Sequence, residues 1–122
     1  MSQTEPLSDL TISELADQQL SAYNLADLDA FCACYHRDIV MLDAEGEISL
    51  RGLDAFRARY ADLFARGAFG AEVPDRLVAG DHCVDLERYW RDDPDGGPQV
   101  KGELLVRYQL REGLIGLVQF LR

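Results

Sequence analysis

Apolar residues recur at helical spacing in three stretches and in strand-like runs elsewhere. Ile12, Leu15, Ala16, Leu20 and Tyr23 advance by three or four positions, which gives one face of a helix an apolar stripe. Thr11-Ile-Ser-Glu14 in front of it reads as a capping box, in which the threonine oxygen and the glutamate carboxylate each satisfy an orphan backbone N–H. Gln19 falls inside this stripe, where a buried amide needs hydrogen-bond partners. A second, shorter stripe of Leu28, Phe31, Cys32 and Tyr35 follows Asp27, a suitable N-cap. A third runs through Leu53, Phe56, Tyr60, Leu63 and Phe64, preceded by Gly52 and followed by Gly67 as a C-cap.

Between the second and third stripes, Ile39 to Asp43 reads as a strand that Ala44-Glu-Gly46 turns back into Glu47 to Leu50. Beyond Gly67 the pattern predicts a β-meander with strands at 69–79, 82–91, 99–110 and 114–121. Gly80-Asp81, the turn-rich loop Asp92 to Pro98, and Arg111-Glu-Gly113 connect them. Residues 1–9 show no periodicity and are expected to be a flexible tail before a single domain at 10–122. Helices followed by consecutive strands indicate an α+β fold, with three N-terminal helices packed on one face of a curved, mostly antiparallel sheet.

Two strands leave their buried face open. In Cys83 to Trp90, period two groups Val84, Leu86 and Trp90 on one side and Asp85, Glu87 and Tyr89 on the other. Hydropathy alone buries the first set. In Val100 to Tyr108, Lys101, Glu103 and Arg107 share a face and suit exposed cross-strand ion pairs.

The chain has 122 residues, 48% of them apolar, and a formal net charge of −10. Its length fits one domain with a real core, since a domain of this size buries roughly two thirds of its unfolded surface. The acidic balance repels phosphate backbones, so neither nucleic acid nor an anionic membrane is an expected partner. The first residues, Met1-Ser-Gln-Thr-Glu-Pro6, lack the basic start and apolar run of a signal peptide, and a cytoplasmic location is expected. Cys32, Cys34 and Cys83 form no Cys-x-x-Cys pair and are expected as buried free thiols. His36 and His82 lack further ligands at metal spacing, so no metal or cofactor is expected.

Taken in order, Leu25-Ala-Asp27-Leu-Asp-Ala-Phe31, Tyr35-His-Arg-Asp38, Arg51-Gly52 and Glu112-Gly113-Leu-Ile115 resemble the nuclear transport factor 2-like superfamily, which includes SnoaL-like proteins and ketosteroid isomerases. The resemblance covers nearly the whole domain. It implies a cone-shaped fold with a pocket between the helices and the concave sheet face, and a homodimer formed through the sheet. Aligned with ketosteroid isomerase, Asp43 falls on the general base, eight residues after a tyrosine in both patterns. Tyr35 and Tyr60 fall on two supporting tyrosines, Gln19 on the oxyanion-hole tyrosine, and Leu105 near the protonated aspartate. The mechanism so implied is that enzyme's own: a carboxylate takes a proton next to a carbonyl while two donors stabilise the dienolate.

These readings converge on a small-molecule pocket for an apolar carbonyl compound, with Asp43 as base if the protein is an enzyme. Gln19, Tyr23, Tyr35, Tyr60, Glu87 and Glu103 are its candidate ligand-binding residues. The alternatives are a non-catalytic binding module of the same fold and a structural dimer. A cavity of about 300 Å³ or more would support a ligand, whereas one filled by Phe31, Phe56 and Trp90 would leave only an interaction role.

Overall fold

A computed structural model describes residues 10–122, so the tail expected over 1–9 lies outside the described residues. Three helices come first: α1 (Ile12–Asn24), α2 (Leu28–Cys32) and, after a hairpin, α3 (Leu53–Phe64). The strands are β1 (Tyr35–Leu42), β2 (Ile48–Arg51), β3 (Phe69–Ala79), β4 (His82–Arg91), β5 (Val100–Arg111) and β6 (Leu114–Phe120). The capping box forms: Thr11 Oγ1 accepts from Glu14 N at 3.1 Å, and Glu14 Oε1 accepts from Thr11 N at 2.9 Å. Asp27 caps α2 by accepting from Ala30 N at 3.1 Å. Gly52 enters α3 with φ of 88°, in the left-handed region that favours glycine.

The strands form one sheet in the order β2-β1-β6-β5-β4-β3. Every neighbouring pair is antiparallel except β1 with β6. The meander therefore returns its last strand into the middle of the sheet, beside the first. Tyr35 belongs to this junction. The helical stripe assigned it to the second helix, but α2 stops at Cys32, and Tyr35 starts β1 opposite Ile115 of β6. The Ile115 N–H donates to Cys34 O at 2.9 Å, which draws the chain into the sheet four residues before its β-branched run begins.

The aromatic core lies between the helices and the concave sheet face. Phe31 of α2 sits at its centre, with ring centroids 4.8 Å from Tyr60, 5.1 Å from Tyr35, 5.6 Å from Phe64 and 6.0 Å from Tyr23. One ring thus joins all three helices and β1, and tilted contacts of this kind add to the burial of apolar area.

The open question about β4 is answered against hydropathy. Asp85 is 0% exposed and faces the helices, while Val84 and Leu86 face the other side. A buried carboxylate is tolerable only when paired. Arg76 on β3, directly opposite in the ladder, meets Asp85 through Nε at 2.6 Å and Nη2 at 3.0 Å. Its Nη1 donates to Ser13 O at 3.0 Å, Ser13 Oγ at 2.9 Å and Asp17 Oδ1 at 2.8 Å. A single guanidinium therefore ties two strands to the first turns of α1. Removing one partner strands a buried charge, so Asp85→Ala should lower unfolding stability by about 3 kcal/mol. Asp17 is mostly exposed, so Asp17→Ala should cost less than about 1 kcal/mol. Urea denaturation of the two variants checks the ordering.

Candidate functional site

A cavity of about 600 Å³ opens between the concave sheet face and helices α1 and α3. That is within the range of small-molecule pockets. Its deep end is polar and hydrogen-bonded. Tyr35 Oη donates to Gln19 Oε1 at 3.0 Å, and Gln19 Nε2 donates to Tyr108 Oη at 3.2 Å and to Ala16 O at 3.1 Å. Gln19, Tyr35 and Tyr108 are each less than 5% exposed. Both amide hydrogens of Gln19 are committed, so its role is to hold the two tyrosines. Tyr108 accepts from Gln19 and keeps its own hydroxyl proton for the cavity it lines.

Glu87, Tyr23 and Tyr60 complete the interior. Among the described residues, none of the three makes a side-chain hydrogen bond within the protein. Glu87 projects from β4 opposite Leu104 of β5. Burial, followed by the Asp85 charge two residues away, pushes its carboxyl up to about 7. Tyr23 is pushed up to about 12, first by burial and then by Glu87. Burial and then Glu87 also raise Tyr60 and Tyr108, with Arg59 pulling Tyr60 back. Tyr35 is raised by burial and by Tyr108. The tyrosines therefore stay protonated at neutral pH as hydrogen-bond donors, while Glu87 lies near half ionisation. This is the balance a proton-transfer group needs.

The sequence-derived candidates divide on this geometry. Gln19, Tyr23, Tyr35, Tyr60 and Glu87 come together around the cavity. Asp43 does not line it. Asp43 sits just past β1, and its Oδ1 accepts from Glu45 N at 3.0 Å and Glu47 N at 2.9 Å. The carboxylate is thus held in the β1–β2 turn, the bond pattern that makes aspartate common at turn starts. Glu103 faces the opposite side of the sheet, where it pairs with Arg88 at 2.9 Å. Leu105 shares that outer face and is 38% exposed. Leu104 and Tyr108 are the β5 residues that line the cavity, so neither Leu105 nor its neighbour Leu104 puts an acid there. The structure's acid comes from β4 instead. Phe31 lines the cavity without filling it, Phe56 is packed in the core, and Trp90 lies on the outer face against Gly70.

Tyr108, like Arg59, Tyr89 and Arg91, lines the cavity without being among the sequence-derived candidates. Its signal lies in the alternation Leu104, Val106, Tyr108, which the charged residues Lys101, Glu103 and Arg107 of the same strand mask. The three cysteines are buried free thiols, each raised by burial, which leaves little reactive thiolate. Among the described residues no group of three or more His, Cys, Asp or Glu is arranged to hold a metal ion, and no helix is long and apolar enough to cross a membrane.

Residues 16–117 match the SnoaL-like domain, and the chain belongs to that family. The fold is nuclear transport factor 2-like. Among solved structures, it is similar to an uncharacterised cystatin-fold protein from Novosphingobium aromaticivorans, with 25% identity, a TM-score of 0.83, and coverage of 93% of this chain and 99% of the other. A hypothetical protein with a ketosteroid isomerase-like fold from Catenulispora acidiphila, in complex with trimethylamine, aligns at 17% identity and TM-score 0.76, covering 91% and 85%. A Mycobacterium tuberculosis protein in complex with estradiol-17β-hemisuccinate aligns at 14% identity and TM-score 0.76, covering 88% and 90%. No curated protein matches the sequence.

The Glu87 environment has a consequence for stability. Its folded carboxyl binds a proton more tightly than its unfolded one, whose ordinary value is 4.5. Between about 4.5 and about 7 the folded state therefore holds more protons, and this group's contribution to stability falls as pH rises. Each tenfold difference in proton affinity corresponds to about 1.4 kcal/mol. Glu87→Gln should thus gain up to about 3 kcal/mol relative to wild type on going from pH 4 to pH 8, as read from urea midpoints at the two pH values.

Proposed function

We propose that the cavity binds a small, mostly apolar carbonyl compound and that the protein moves a proton on it. The observation that carries this reading is the Glu87 carboxyl, raised to about 7 and without a protein hydrogen-bond partner among the described residues, in a cavity of about 600 Å³ rimmed by tyrosine hydroxyls. The steroid derivative bound by the Mycobacterium tuberculosis relative supports an apolar ligand of that size.

In the proposed reaction the Glu87 carboxylate removes a proton from the carbon next to the carbonyl. The C–H electron pair moves into the new carbon–carbon double bond, and the carbonyl π pair moves to oxygen. Tyr108, whose hydroxyl oxygen accepts from Gln19, donates its proton in a hydrogen bond to that oxyanion, with Tyr60 or Tyr23 as the second donor. Protonated Glu87 then returns the proton to a different carbon, which shifts a double bond, or to the same carbon, which gives exchange alone. Gln19 and Tyr35 act as positioning residues through Tyr108. The proton-transfer role assigned from sequence to Asp43 passes to Glu87, because the turn engages the Asp43 carboxylate.

The test is solvent deuterium uptake into androst-5-ene-3,17-dione and simpler enolisable ketones, followed by NMR. Wild type should catalyse uptake with a rate that rises through about pH 7. Glu87→Gln should slow it by about 100-fold or more, and Asp43→Asn should leave it within about twofold. Unchanged uptake by Glu87→Gln would remove Glu87 as the base, and loss confined to Asp43→Asn would restore Asp43.

A second part of the proposal concerns assembly. The outer sheet face carries Leu77, 77% exposed, and Leu105, 38% exposed, beside Val84 and Leu86. This apolar face supports a homodimer formed through the sheet. Light scattering should then give twice the chain mass of 13.7 kDa, and Leu105→Glu should return it to the monomer value.

A further inference from the structure

The walls of the cavity change character from its interior to its mouth. Glu87, Tyr89 and Arg91 alternate along one face of β4, and all three line the cavity. Tyr89 lies across Gly102 on the neighbouring strand, where any β-carbon would collide with its ring. The Arg91 guanidinium sits 5.3 Å from the centre of that ring. Across the opening, α3 presents Arg59, Asp62 and Leu63, and Arg66 follows just past the end of the helix, again all lining the cavity. Arg66 pairs with Asp62 at 2.5 Å. Arg59 and Arg91 have no ion-pair partner among the described residues.

This arrangement is unusual for the chain that contains it. The sequence has 22 acidic and 12 basic residues, a net charge of −10. Arginines elsewhere on the surface find carboxylates readily: Arg57 meets Asp29, Arg88 meets Glu103 and Arg111 meets Asp38. Three of the twelve basic residues nevertheless line this one cavity, against two acids, Asp62 at the opening and Glu87 in the interior. The excess of positive charge at the mouth raises the local concentration of anions there.

We infer that the ligand of this cavity is an amphiphilic anion, with an apolar body and a carboxylate or similar group held at the mouth by Arg59 and Arg91. This rests on the small-molecule reading above and adds to it the substrate class. The strand sets the ligand's length. Arg91 lies four positions along β4 from Glu87, which is on the order of 13 Å at the rise of an extended chain. The reacting carbonyl and the anionic group therefore lie at opposite ends of a rigid skeleton of about that length, with Tyr89 as the apolar platform between them. Arg66 contributes less, since Asp62 holds its guanidinium.

The test compares two acids with their methyl esters by titration calorimetry at low ionic strength: 3-oxo-4-androstene-17β-carboxylate and anthraquinone-2-carboxylate. For at least one scaffold the acid should bind about five- to tenfold more tightly than its ester, as a pair of solvent-exposed charge contacts allows. Added salt should shrink that advantage. Arg91→Gln and Arg59→Gln should each weaken the acid about threefold and leave the ester unchanged. Esters that bind as tightly as their acids would overturn the anionic class while leaving the small-molecule pocket standing. Silence from all four probes would overturn both.

Discussion

The buried amide of Gln19 holds the sheet and the first helix in one geometry. It accepts from Tyr35 on β1 and donates to Tyr108 on β5, with its remaining hydrogen on the backbone of its own helix. These strands are separated in the sheet by β6, so the amide fixes α1 across three strands of a curved surface. An apolar side chain of similar size would fill the same space but leave two buried hydroxyls without partners, each costing about 1–3 kcal/mol. Because the amide satisfies both tyrosines, the concave face can end in polar groups at its deep end. The cavity can therefore be lined by hydroxyls without losing its shape.

The two acids of β4 show how one strand places two carboxyls in opposite electrostatic surroundings. Asp85 and Glu87 point the same way and lie two residues apart. Asp85 meets a bidentate guanidinium and acts as a structural tie between β3, β4 and α1. Glu87 has no such cation and faces the cavity, so burial and its acidic neighbour raise its affinity for a proton. The difference is set by what stands opposite each residue in the ladders: Arg76 beside Asp85, and Leu104 beside Glu87. The strain of an unpaired carboxyl is thus confined to one position, and the paired acid next to it helps create that strain.

Most of the fold was legible in the sequence. Helical spacing marked α1 and α3, the capping box marked the start of α1, and glycine-rich turns separated the later strands. What hydropathy could not read was the direction of β4. Its apolar residues Val84, Leu86 and Trp90 are the ones on the outer face, because the concave side is occupied by a paired aspartate and a cavity instead of a packed apolar layer. The family resemblance pointed to Asp43, whose position along the chain matched while its local hydrogen bonds hold it in a turn. A carboxylate at the end of a strand and one at the start of a turn look alike in sequence, and only the N–H groups of Glu45 and Glu47 tell them apart. Tyr108 escaped for a related reason: a tyrosine on an alternating strand looks like core until its hydroxyl partner, 89 residues away in sequence, is known.

The central claim is that Glu87 is a desolvated carboxyl facing the cavity, and it can be observed without a substrate. Selective ¹³C labelling of glutamate side chains, with the Glu87 resonance assigned by its loss in Glu87→Gln, allows its titration to be followed by NMR. The structure predicts a midpoint near 7 for this carboxyl. A midpoint at the ordinary value of 4.5 would show that Glu87 is solvated like a surface residue and would contradict the account of the site.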